Sequence, residues 1–128
     1  MIKSKMFQIG ALCCLLFSGA QSFAGTLTAT SLQGRILTLT FPTDRITSHT
    51  ATATFCLSDS SAAAVALTSA KLWMPQHGHG GSPTALTPTT SHCTEISRIN
   101  FVMNGDWEIR IKLADSDSAA FMVEVTAE

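Results

Sequence analysis

Amphipathic helix patterns, internal repeats and coiled-coil heptads are all missing from this chain of 128 residues. That removes helical bundles, repeat arrays and long coiled coils from consideration. Charge is sparse, at 13% of residues, and Lys and Arg nowhere cluster. The chain therefore lacks an electrostatic footprint for nucleic acid or an anionic membrane surface. Sequence signatures of catalysis are absent too: there is no Gly-x-Ser-x-Gly elbow, phosphate-binding glycine loop or His-Glu-x-x-His helix. Asp106 and Glu108 flank a turn or face solvent and form no catalytic pair, so an enzyme is not expected.

The first feature present is an export signal. Lys3 and Lys5 make a basic start, an apolar run extends from Ile9 to Phe17, and small residues dominate from Ser18 to Ala24. Ser22 and Ala24 suit the small pockets of a signal peptidase, which predicts cleavage after Ala24. Residues 1–24 are thus expected to be a signal peptide and residues 25–128 a single domain. The apolar run falls short of the ~20 residues that span a bilayer as a helix. No second such run follows, so no membrane span is expected after processing. Cys13 and Cys14 lie inside the apolar run without the small residues that precede a lipidated cysteine, and are expected to be discarded with the leader.

Processing leaves six Lys and Arg against nine Asp and Glu, a charge of −3 with the histidines neutral. It leaves two of the four cysteines, Cys56 and Cys93. An even pair in an exported domain points to a disulfide formed in an oxidising compartment, periplasmic or extracellular. Thiolate metal ligands are the alternative that this context disfavours.

Short stretches of the mature chain alternate with the period of a half-buried strand. Trp107, Ile109, Ile111 and Leu113 point one way, and Glu108, Arg110 and Lys112 the other. Asn104-Gly105-Asp106 predicts a hairpin turn pairing Ile99–Met103 with that strand. Phe121, Val123 and Val125 mark a final strand, reached through the turn Asp115-Ser116-Asp117. Leu37, Leu39 and Phe41 form an earlier one, ended by Pro42 and Asp44. Ala51, Ala53, Phe55 and Leu57 form another, and Val65–Met74 a further candidate with a short helix possible at its start. About seven short strands joined by turn chemistry read as an all-β sandwich. Between Met74 and Cys93 the pattern breaks into a long Pro- and Gly-rich loop region.

That loop opens with Trp73-Met74-Pro75-Gln76-His77-Gly78-His79-Gly80-Gly81. Two histidines lie two residues apart with a methionine close before them, and the glycines let the backbone fold tightly enough for both rings to face one point. Imidazole with thioether suits copper, the soft sulfur favouring Cu(I). Zinc fits less well, since no free thiolate or nearby acid completes a tetrahedral set. The alternative is a solvated turn, with Met74 the last core residue of its strand and Trp73 capping the sandwich. Met103 is a candidate further ligand, needing an unusual strand arrangement to reach the loop. Met122 and His92 are expected at the surface, and nothing marks out His49.

Met74-Pro75-Gln76-His77-Gly78-His79-Gly80, followed by Phe101-Val102-Met103-Asn104-Gly105-Asp106-Trp107-Glu108-Ile109, resembles the YtkA-like and FixH-like domains over roughly residues 35–126. The resemblance implies an exported immunoglobulin-like sandwich linked to copper handling and the assembly of copper-containing oxidases. It places Met74, His77 and His79 in a metal-holding loop and matches Met103 and Trp107 to the second block. His77 stands where many relatives carry methionine, which shifts preference toward imidazole. The Cys56–Cys93 pair is not a feature of the family as a whole, and no retained anchor of the FixH type is expected. The expectation is a copper-binding or copper-delivery module whose partner is another exported protein or a copper-protein target. The alternative is a structural or protein-interaction domain that holds no metal.

Overall fold

Nine strands account for most of the residues, 25–59 and 63–127, that a computed structural model of the protein describes. They are β1 (Thr26–Thr30), β2 (Ile36–Thr40), β3 (Ala53–Leu57), β4 (Leu67–Met74), β5 (His79–Gly80), β6 (Ala85–Pro88), β7 (Cys93–Ser97), β8 (Gly105–Leu113) and β9 (Ser118–Val125). One antiparallel sheet runs β1-β2-β3-β7-β6 and the other β5-β4-β8-β9. The all-β sandwich is as expected, with no helix at the start of β4. The proposed signal peptide, including Cys13 and Cys14, lies outside the described residues.

Period-two alternation fixes which side chains are buried. Leu37, Leu39, Phe55, Leu57 and Ile96 cover the inner face of the first sheet, and Leu72, Trp107, Ile109, Ile111, Phe121 and Val123 that of the second. Phe55 and Phe121 meet across the interior edge to face, with ring centroids 6.5 Å apart. The sulfurs of Cys56 and Cys93 are bonded, and the two residues stand directly opposite each other on β3 and β7.

The sequence pattern misleads in two places. Residues 99–103 do not pair with β8. Arg98 adopts a φ of 60° after β7, and the chain then crosses between the sheets. Ile99 and Phe101 are buried by that crossing rather than by strand alternation. The region between Met74 and Cys93, expected as loop, contains β5 and β6.

One end of the sandwich is fastened by a carboxylate. Asp117, 1% exposed, accepts hydrogen bonds from Ser31 Oγ (2.6 Å), Arg35 Nη1 (2.7 Å), Gln33 N (3.0 Å) and Ser118 N (2.9 Å). It ties the β1–β2 turn to the β8–β9 turn, and Arg35 also reaches Asp115 at 2.6 Å. Burial by itself would raise the Asp117 carboxyl. The hydrogen bonds from Ser31, Gln33, Arg35 and Ser118 outweigh it and hold the group below its ordinary value. A depressed native value means that the stabilisation is complete above the ordinary carboxylate value near pH ~4 and is lost as pH falls through the native one. Asp117→Asn should lower Tm at neutral pH by about 5–10 °C and flatten the acid limb of a melt-versus-pH series. An acid limb identical to the wild type would show that the carboxylate does not fasten this end.

Candidate metal centre

β4 stops where Pro75 removes a ladder donor, and the chain reverses within residues 75–78. The Met74 carbonyl accepts from both His77 N (3.2 Å) and Gly78 N (2.9 Å). Gly78 closes the turn at a φ of +66°, a left-handed conformation that favours glycine. His79 then returns directly opposite Met74. In this hairpin the His77 and His79 rings stand 5.9 Å apart between centroids, tilted by 40°.

The two imidazoles have different surroundings. His77 is exposed, whereas His79 is half-buried with its ring 6.0 Å from that of Trp107. His79 Nδ1 lies 3.1 Å from the Gly80 carbonyl oxygen. The tautomer that donates this bond carries its proton on Nδ1 and leaves the Nε2 lone pair available to a cation.

The sulfur residues are placed differently. Met74 is 1% exposed and belongs to the core, on the same sheet face as its partner His79. Its methyl group fills the space beside Gly105, where an added Cβ would lie 2.7 Å away. Gly105 itself has a φ of +128°, so this glycine permits β8 to enter beneath Met74 rather than forming the predicted hairpin turn. Met103 is 40% exposed. Its carbonyl accepts the indole N–H of Trp107 at 3.0 Å.

No unusual strand arrangement is required for Met103. Trp73 pairs with Glu108, so the residues just before Gly105 emerge beside the end of β4. The structure thus gathers Met74, His77, His79 and Met103 at one end of the sandwich, with the two imidazoles the pair in direct proximity. His49 belongs to a loop at that same end, since Thr47 bridges Thr126, one residue beyond the Val125–Gly105 pair. His92 lies at the other end, half-buried beside Cys93, with Nδ1 2.9 Å from Ser91 Oγ. Met122 is 59% exposed on the outer face, as its alternation predicts.

Trp107 is the residue whose part sequence reasoning missed. Its inward direction was legible from alternation, but its contact to His79 depends on the two-residue strand β5, which has no periodicity to read. Among the described residues no three His, Cys, Asp or Glu side chains converge. Searches for related family models, curated proteins and solved structures found no match.

Proposed function

We propose that this chain is an exported copper-binding module that holds or delivers one ion at the β4–β5 hairpin through His77 and His79. The spacing of the two rings carries the reading. A metal–nitrogen bond of about 2.0 Å puts each ring centroid about 3 Å from a shared ion, so two ligating imidazoles stand roughly 5–6 Å apart. The observed 5.9 Å falls in that range. The Gly80 contact orients His79 as such ligands are oriented, and Met103 supplies an accessible thioether at the same end. Met74 packs in the core and serves as a foundation for the hairpin. A soft sulfur beside imidazole selects copper over zinc. The Cys56–Cys93 disulfide suits an oxidising, periplasmic or extracellular setting. The target of delivery is then another exported protein, in keeping with the YtkA-like resemblance of the two sequence blocks.

Titration of the apo protein with Cu(I) and Cu(II) tests this directly. About one equivalent should bind with submicromolar affinity, and a His77→Ala/His79→Ala double variant should lose it. Met103→Leu should weaken Cu(I) by about tenfold while leaving Cu(II) nearly unchanged. Binding no tighter than micromolar in the wild type, or tight binding that survives in the double variant, would refute the assignment.

A further inference from the structure

The outer face of the β5-β4-β8-β9 sheet is sorted by charge. Cations that are scattered along the sequence meet on it. Lys71 of β4 stands directly opposite Arg110 of β8, and Lys112 lies one step further, opposite Ser69. Four residues back along β8, Asp106 stands directly opposite Glu124 of β9. Both pairs set like charges against each other across neighbouring strands, which is locally destabilising. All five side chains are exposed. Lys71, Lys112, Asp106 and Glu124 have no ion-pair partner among the described residues.

Between the two zones lies a row of different character. Glu108 pairs with Trp73 on one side and Met122 on the other. Arg110 bonds the Glu108 carboxylate at 2.9 Å and sits over the Trp73 ring at 4.7 Å, so the carboxylate on this row is neutralised. Met122 projects from the row and Ala120 lies beside Arg110, both exposed. The row stands two residues, about 7 Å, from each like-charged pair. A half-turn about a line across the strands through Glu108 therefore exchanges the basic zone with the acidic one.

We propose that this face binds a second copy of the chain about that two-fold axis. The rotation lays Arg110 over the partner's Asp106, with Lys71 and the partner's Glu124 one strand spacing, about 4.8 Å, to either side. The same contact recurs on the other half of the interface, as two-fold symmetry requires. Met122 meets the partner's Met122 on the central row, where the two thioethers exclude water from each other. Each like-charged pair gains the counter-charge that it lacks in the monomer.

A uniformly acidic or uniformly basic partner is the poorer occupant, because it satisfies one zone and meets the other with like charge. Three strands across four rows span about 15 by 27 Å, roughly 400 Å² per copy. That is about half of a standard interface, which points to a weak dimer held largely by charge.

Sedimentation equilibrium tests this, with a chelator present so that no metal bridges the exposed histidines of two copies. The wild type should dimerise with a Kd of about 10–100 μM at ~20 mM salt, and at least about tenfold more weakly at ~0.5 M. Met122→Arg should be monomeric while melting within a few degrees of the wild type. Lys71→Glu/Arg110→Glu makes both zones acidic and Asp106→Lys/Glu124→Lys makes both basic, so each alone should be monomeric. Mixed in equal amounts, the two should form a heterodimer tighter than the wild-type dimer. A wild type still monomeric at ~500 μM in low salt, a dimer indifferent to salt, or one that survives Met122→Arg would overturn the proposal. So would two folded charge-reversed variants that fail to pair. Should either of them not fold, the salt series and Met122→Arg decide alone. No readout involves copper, so the result stands apart from that of the histidine hairpin.

Discussion

Trp107→Ala is expected to destabilise the domain by about 3–5 kcal/mol, lowering Tm by roughly 15–30 °C. Trp107 is fully buried, packs its ring 5.6 Å from that of Phe101, and supports His79 from below. Truncation removes the largest buried side chain and leaves a cavity between sheets that are stapled together at the far end and cannot collapse freely. A total stability of about 5–15 kcal/mol is typical of a single domain, so this one change threatens folding itself. Trp107→Phe separates packing from the site. It keeps most of the apolar volume but deletes the N–H that holds the Met103 carbonyl, which should cost about 1–2 kcal/mol. If Trp107 supports the proposed copper site, Trp107→Phe should also weaken copper binding severalfold while melting only modestly earlier than the wild type. Circular dichroism melts paired with copper titrations read both effects. Unchanged copper affinity in Trp107→Phe would mean that the indole only fills space.

The strands that could be read from sequence are those with a full inner face to declare. β8 and β9 alternate for eight or nine residues, and β2 and β3 show the same period over five. β1 was not legible because Leu27 and Ala29 are only partly buried at the edge of the sheet. β6 ends on Pro88, which suits an edge strand but reads in sequence as a breaker. Ile99 and Phe101 gave an alternation that a strand and an inter-sheet crossing produce alike.

The candidate site divides in the same way. The closeness of His77 and His79 is local, following from a short turn with a left-handed Gly78, so sequence could anticipate it. The burial of Met74 beside Gly105 is set by the register of β4 on β8. The Asp117 fastening likewise spans more than eighty residues of sequence. Asp117 read only as a turn residue because its partners come from the other sheet.

These placements give the sandwich two unlike ends. The Arg35–Asp117 pair fastens one end, and the disulfide joins β3 to β7 on that side of the molecule. The histidine hairpin, the crossing at 98–104 and the His49 loop share the other. A site built on short loops needs its framework held elsewhere, and here the covalent and ionic ties sit away from the imidazoles.

Opening the disulfide should therefore cost stability and spare the site. The bond joins residues 37 positions apart, for which chain entropy assigns about 4 kcal/mol to the constraint on the unfolded chain. Cys56→Ser/Cys93→Ser should lower Tm by about 15–25 °C. Both positions are half-buried and face each other in register, so two serines fit without a large void. Because the effect resides in the unfolded state, the denaturant slope should rise as that state expands. The variant, kept well below its midpoint, should take up copper like the wild type, whereas Trp107→Phe should not. A variant that melts within a few degrees of the wild type would place the stability of this fold in the packed interior instead. Loss of copper uptake in a fully folded variant would contradict the separation of the two ends.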